Sequence, residues 1–170
     1  MLEIFCPSLY CETVYDIDLS ELKQMGIKGL IFDFDNTLVA RGSKNAPDQL
    51  QEWLNELNEN GFRLCVVSNN WESKVGGVTK KLKIPLVAQA GKPRGKAFKD
   101  GMKVMGTSAN ETAVIGDQLF TDVLGGNRLG LVTVLVVPVG KNELIHTKLL
   151  RYLERLIIRR LRKRRMIVGN

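Results

Sequence analysis

The chain is poor in the side chains on which many hydrolytic sites depend. It has a single histidine, His146, so a Ser-His or Cys-His catalytic unit would have one possible base. Cysteines number three (Cys6, Cys11 and Cys65). An odd count with no CxxC pair argues against a secreted disulfide framework and against an all-cysteine zinc site. Cys65 lies within an apolar run and is expected in the core. No apolar run reaches the roughly 18–20 residues needed to span a bilayer. The opening MLEIFCPSLYCE lacks a basic leader, so a cytoplasmic location is the expectation. What is present, 44% hydrophobic and 25% charged residues, is ordinary globular composition. At 170 residues the chain can bury a core without metal or disulfide staples.

Negative charge is missing from one region in particular. Residues 141–170 hold ten Lys and Arg against Glu143 and Glu154, a net of +8, whereas the whole chain carries +7. The rest of the chain is therefore close to neutral, and the tail needs an explanation of its own.

Along residues 26–140, short apolar runs alternate with stretches of helical period. Strands are expected at Lys28–Phe34, Phe62–Ser68, Pro85–Ala88, Thr112–Gly116 and Leu131–Val137. Helices are expected at Pro47–Asn60, with Leu50, Trp53, Leu54 and Leu57 on one face, and at Glu72–Leu82, Arg94–Met105 and Thr121–Leu129. The strands are continuously apolar, as in sheets covered on both faces. Such alternation predicts a three-layer, Rossmann-like α/β fold with a parallel sheet. Ahead of it, Asp16–Met25 reads as a short helix with Asp18 and Glu21 at capping-box spacing and Gly26 at its end. The preceding FCPSLY could line the mouth of a site or cover the sheet edge. Three regions follow: an N-terminal segment (1–25), the core (26–140) and a basic tail (141–170).

In parallel sheets ligands bind beyond the carboxyl ends of the strands. Those ends carry Asp33 to Thr37 (DFDNT), Ser68-Asn69-Asn70, Lys92-Pro93 and Asp117 to Asp122 (DQLFTD). Four carboxylates packed together repel, and a divalent cation relieves the repulsion. An oxygen-only donor set suits Mg2+ better than zinc or copper. One carboxylate of Asp33 and Asp35 can attack phosphorus, and the other can protonate the leaving oxygen and then activate water. Ser68 and nearby N–H groups can hold phosphoryl oxygens, and Lys92 can offset their charge. A lone DxD or GD is commonly just a turn or a cap. Four such clusters at successive strand ends are not.

In order and spacing, DFDNT, SNN, KP and GDQLFTD resemble the four motifs of the haloacid dehalogenase (HAD) phosphatases, over roughly residues 26–140. The resemblance implies Asp33 as nucleophile, Asp35 as general acid/base and backbone metal ligand, and Ser68 as a phosphoryl-binding hydroxyl. It further implies Lys92 as the motif-three lysine, Asp117 as a Mg2+ ligand and Asp122 as an outer one. Asn69, beside Ser68, is grouped with the phosphate-binding residues. The intervals Asp35–Ser68 and Asn70–Lys92 are too short for a cap domain, so the site is expected to be open and its substrate bulky.

Within the tail, Leu149, Leu150, Leu153, Leu156, Ile157 and Leu161 fall on one helical arc. This stripe could dock on the body, or the basic helix could lie on an anionic membrane through Arg151, Arg155, Arg159, Arg160, Arg162, Lys163, Arg164 and Arg165. His146 is expected at the surface near this helix. Taken whole, with GIKGLIFDFDNTLV, VVSNN, GKP and GDQLFTD, the chain resembles the YqeG-type branch of HAD subfamily IIIA, itself similar to the mitochondrial phosphatidylglycerophosphate phosphatases. That resemblance implies dephosphorylation of an anionic phospholipid, by an enzyme peripheral on the inner face of the cell membrane. Two rival readings are a phosphatase of nucleic-acid ends and a non-enzymatic RNA- or ribosome-binding module. Against the first, Trp71 is the one aromatic near the rim, so stacking platforms are scarce.

Overall fold

A computed structural model of the protein describes residues 2–140 and 145–163, with side chains in the last segment from residue 150 onward. Arg164, Arg165 and the side chain of His146 lie outside the described residues. Six parallel strands form one sheet: β1 (Leu9–Cys11), β2 (Gly29–Phe32), β3 (Arg63–Val67), β4 (Leu86–Val87), β5 (Thr112–Gly116) and β6 (Val132–Val136). Their spatial order is β1-β6-β5-β2-β3-β4. From β2 the chain first builds outward through β3 and β4. It then returns to the other side of β2 with β5, so the order reverses between β2 and β5. A crevice forms at such a reversal.

The strands carry apolar side chains on both faces because helices cover both. On one face Leu30, Phe32, Leu64, Val66, Ala113 and Ile115 pack with Leu50, Trp53, Leu54 and Leu57 of helix α2 (Asp48–Glu59). These are the four helix positions that the period picks out. Trp53 meets Phe32 edge-on with ring centroids 5.7 Å apart. On the opposite face Ile31, Cys65, Val67 and Val114 pack with Ala97, Phe98 and Met105 of α4 (Gly95–Met105). Cys65 is fully buried there. Helix α3 (Glu72–Lys81) lies between β3 and β4 in sequence and adds Val75 and Val78 to the first face.

Ahead of β2, helix α1 (Leu19–Gln24) begins at Asp18, whose Oδ1 accepts the Ser20 and Glu21 N–H groups. Gly26, at φ 79°, turns the chain back toward β2. The N-terminal segment also contributes a strand that no periodicity announces. β1 pairs with β6 along Leu9–Cys11, so the end of the FCPSLY segment completes the sheet edge. The expected helix at Thr121–Leu129 proves shorter. A π-helical turn (Leu119–Val123) leads into α5 (Leu124–Asn127).

Helix α6 (Ile145–Lys163) docks on the body through only part of its apolar stripe. Arg151, Glu154 and Leu161 are buried, and Ile157 and Ile158 pack with Leu119, Val123 and Leu135. Leu150, Leu153 and Leu156 face outward with Tyr152. The helix is thus turned by roughly a quarter of a revolution or more from the orientation its hydrophobic pattern suggests, and the reason lies beneath Arg151.

Candidate active site

The β2–β5 reversal places two acidic ends side by side. Asp33 follows β2 directly, and its N–H donates to Ile115 of β5. Asp117 follows β5. Beyond β2 the chain reverses tightly: Asn36 adopts φ 60°, and a bridge joins Asp35 to Val39. This turn buries Asn36 and Thr37 and brings the Thr37 hydroxyl 3.3 Å from Asp117 Oδ1, to which it donates. Gly116 is required by what lies against it. A Cβ there would sit 2.3 Å from the carboxylate carbon of Asp122, so only glycine lets that side chain fold back beneath the strand end.

Lys92 is the hub. Its ammonium donates to Asp33 Oδ1 at 2.5 Å and to Asp122 Oδ1 at 2.7 Å, with all three side chains almost wholly buried. Asp122 is itself held on its other oxygen by the Gln118 N–H and the Thr121 hydroxyl. Asp33, Asp117 and Asp122 each offer an oxygen within 4.8 Å of the others. Asp35 stands nearer solvent, and its carboxylate accepts from Asn70 Nδ2. Ser68 is buried, with its hydroxyl accepting the Asn70 N–H.

Two expectations give way here. Asn69 does not turn its side chain toward a phosphoryl position: its Oδ1 accepts the Lys92 N–H at 2.7 Å and its Nδ2 donates to the Lys92 carbonyl. Both halves of the amide are spent on Lys92's backbone, so Asn69 positions that lysine. Arg151, grouped above with the membrane-facing cations, points inward. Its guanidinium donates to the carboxylate and the carbonyl of Asp117 and, at 3.0 Å, to Glu154. Glu154 in turn accepts the Leu119 N–H at 2.7 Å and the Phe120 N–H at 3.4 Å. A buried carboxylate at Asp117 needs a cation, and the tail supplies it; this outweighs exposing a few leucines. Neither residue is legible as part of the site, although an Arg and the tail's second acid three residues apart on a helix are a weak pointer to an inward pair. Arg155, Arg159, Arg160, Arg162 and Lys163 are exposed, and Arg162 lies over the ring of Tyr10 at 5.3 Å.

The charges do not balance. Asp33, Asp117, Asp122 and Glu154 outnumber Lys92 and Arg151 by two. Burial, with Asp122 nearby, pushes the Asp33 carboxyl up to about 6 despite Lys92. Burial and the neighbouring Asp33 push Asp117 up to about 8 against the pull of Arg151. For Lys92, burial favours the neutral form, but Asp122 and Asp33 outweigh it and raise its pKa. A deficit of two positive charges, lined by three converging carboxylate oxygens, fits a divalent cation with oxygen ligands.

The raised carboxylates make a stability prediction. Folded, Asp33 and Asp117 hold protons up to about pH 6 and pH 8, whereas unfolded they release them near 3.8. The folded state therefore binds more protons across this window, and the metal-free chain loses stability as pH rises through it. Glu111, lowered to about 2, changes only below pH 4.5 and leaves the window untouched. Melting in EDTA should occur at a higher temperature at pH 5.5 than at pH 8, and saturating Mg2+ should remove most of the difference. A metal-free melting temperature that rises over the same interval would contradict the assignment.

Comparison with known proteins settles the family. The model for the mitochondrial PGP phosphatase family matches residues 2–140. The chain belongs to that family. It is 41% identical over 162 residues to the probable phosphatase YqeG of Bacillus subtilis, a match spanning 95% of this chain and 94% of that one. It is 32% identical to a chloroplastic/mitochondrial phosphatidylglycerophosphate phosphatase 1 of Arabidopsis thaliana, over 81% of this chain but 42% of the plant protein. In fold it matches a HAD phosphatase from Thermococcus onnurineus, with a TM-score of 0.57 at 15% identity, over 70% of this chain and 90% of that one. This PGP phosphatase family member is thus a phosphatase with the HAD fold. Its mouth is open, because only a loop, α2 and β3 separate Asp35 from Ser68, and only α3 and β4 separate Asn70 from Lys92.

Proposed function

We propose that the chain removes the terminal phosphate of phosphatidylglycerophosphate at a membrane surface, leaving phosphatidylglycerol. The observation that carries the chemistry is the buried convergence of Asp33, Lys92, Asp122 and Asp117 at the strand reversal. In this reading a carboxylate oxygen of Asp33 attacks phosphorus, and the bond from phosphorus to the alcohol oxygen breaks as Asp35 gives that oxygen a proton. Asp35 then takes a proton from water, whose oxygen attacks the phosphoryl group on Asp33 and releases phosphate. Lys92 and the Ser68 hydroxyl hold the phosphoryl oxygens. Asp33 and Asp117, with Asp122 behind and the Asp35 carbonyl beside them, are the residues that would hold Mg2+. When bound, the ion supplies charge neutralisation between an anionic nucleophile and an anionic substrate.

The lipid substrate is supported by the names of the plant and algal relatives, and by the absence of a cap over the mouth. It is also supported by the outward face of α6, which joins Leu150, Tyr152, Leu153 and Leu156 to Arg155, Arg159, Arg160 and Lys163. Apolar and cationic groups on one exposed helix face suit an anionic bilayer surface. Among the described residues no helix is long and apolar enough to cross a membrane. The test is phosphate release from phosphatidylglycerophosphate in mixed micelles beside a 3′-phosphorylated oligonucleotide, with Mg2+ or EDTA. The expected result is Mg2+-dependent release from the lipid at least about tenfold faster, in kcat/KM, than from the oligonucleotide, which corresponds to about 1.4 kcal/mol of discrimination. Equal or reversed rates would overturn the substrate assignment.

A further inference from the structure

Asp35 also lines a cavity of about 520 Å3 whose lining includes neither Lys92 nor Asp117. Arg41 and Lys44 from the loop after β2 line it, as do Lys74 and Lys81 of α3. Lys74 and Lys81 are seven residues apart and so share a helix face, about 10 Å apart along the axis. Val75 and Val78 form part of an apolar floor, and Asp35 and Asn70 close the end nearest the reaction centre. Asp35 is the one carboxylate that lines the cavity.

Lys28 pairs with Glu111, Lys96 with Asp100, and Lys23 donates to Asn60, whereas these four converge on one cavity. Among the described residues no carboxylate lies within ion-pair distance of the side chains of Arg41, Lys44, Lys74 or Lys81. Four uncompensated positive charges around one concavity repel each other, and an anion seated between them relieves that.

We infer that this cavity is a subsite for a phosphodiester anion carried by the leaving group of the substrate. The inference rests on the reading of Asp35 as the group beside the leaving oxygen. Whatever alcohol departs next to Asp35 continues into this cavity. A leaving group bearing its own phosphodiester, as a glycerophospholipid headgroup does, places that charge among the four cations. Its glycerol carbons lie over the valine floor, and any acyl chains leave through the open mouth. A neutral leaving group gains nothing there, so the subsite acts on specificity.

The experiment uses the full chain and soluble substrates, which removes the membrane from the comparison. Kinetics are measured for wild type and for the double variant Arg41→Gln/Lys74→Gln on p-nitrophenyl phosphate and on the deacylated headgroup, glycerophosphoglycerol phosphate. A rim cation facing the singly charged phosphodiester contributes up to about fivefold in affinity at ordinary ionic strength. The variant should therefore lower the ratio of kcat/KM for the headgroup to kcat/KM for the aryl ester by about tenfold, through KM. An unchanged ratio would overturn the subsite. So would a 3′-phosphorylated dinucleotide preferred by wild type over the headgroup and equally weakened in the variant, since the cavity would then serve polynucleotide ends. If wild type releases no phosphate from the headgroup, the substrate reading of the preceding subsection fails by itself, and inhibition judges the cavity. Glycerophosphoglycerol should then compete with p-nitrophenyl phosphate in wild type, with an inhibition constant about tenfold higher in the variant. Equal inhibition constants, or no inhibition, would reject the subsite.

Discussion

Asp33→Asn should lower the rate of phosphate release from p-nitrophenyl phosphate by at least about 10^3-fold while leaving the chain folded, because a group that forms a bond in the transition state is not replaced by its neighbours. Asparagine matches aspartate in shape but is a far weaker nucleophile, and its amide presents one acceptor oxygen where the carboxylate presents two. Folding should survive for a reason visible in the site. Asp33 is buried, and burial already pushes its carboxyl up to about 6, so the charged form is not what holds this region together. Lys92 keeps Asp122 at 2.7 Å and its backbone clamp from Asn69. The backbone link from Asp33 N–H to Ile115 is indifferent to the side chain. Circular dichroism should therefore overlay with wild type, and melting in EDTA should shift by only a few degrees. Residual activity within tenfold of wild type would remove Asp33 from the chemistry. Lost activity with an unfolded spectrum would instead give it a structural role.

How much of this could be read from the chain depends on whether the signal was local. The interior strands were legible because burial on both faces makes them uninterrupted apolar runs: the expected Thr112–Gly116 strand is β5 to the residue. The termini of the other inner strands and of α2, α3 and α4 differ from expectation by one or two residues, the usual fraying at caps. β1 was not legible. Three half-buried residues at a sheet edge have neither the length nor the alternation to stand out, and β6 defines them as a strand. The four site clusters were legible because the topology carries every strand end to one rim, so that spacing along the chain becomes proximity in space. The role of Asn69 was not, since nothing in Ser-Asn-Asn distinguishes an amide facing a ligand from one clamping a backbone. The orientation of α6 was not legible, for a sharper reason. Hydrophobic periodicity ranks residues by what they lose in water, and it is blind to a buried charge on another element that needs a partner. Asp117 is that charge, more than 30 residues upstream.

The same contact leads to the second large effect, in stability. Arg151→Ala should lower the melting temperature of the metal-free chain by roughly 6–12 °C, corresponding to about 3 kcal/mol, the scale for leaving the buried acceptors on Asp117 and Glu154 without their donor in a domain of this size. Without the guanidinium, Asp117 keeps only the Thr37 hydroxyl at 3.3 Å, and Glu154 loses the cation that offsets its own burial. Glu154→Gln is the informative companion. It retains an acceptor for the Leu119 and Phe120 N–H groups and removes only a charge, so its cost should be about 1 kcal/mol. Divalent metal should then separate a positioning role from mere packing. In the wild-type chain Arg151 occupies one carboxylate oxygen of Asp117 and adds a positive charge beside the other two acids of the cluster. Removing it deepens the charge deficit and frees an oxygen, so saturating Mg2+ should raise the melting temperature of Arg151→Ala by more than it raises that of wild type, through preferential binding to the folded state. If Arg151 merely filled space at the helix interface, the variant would still lose stability, but Mg2+ would shift both proteins equally. Equal shifts would therefore detach the tail helix from the metal-binding carboxylates, whereas a larger shift in the variant ties α6 to the electrostatics of the site.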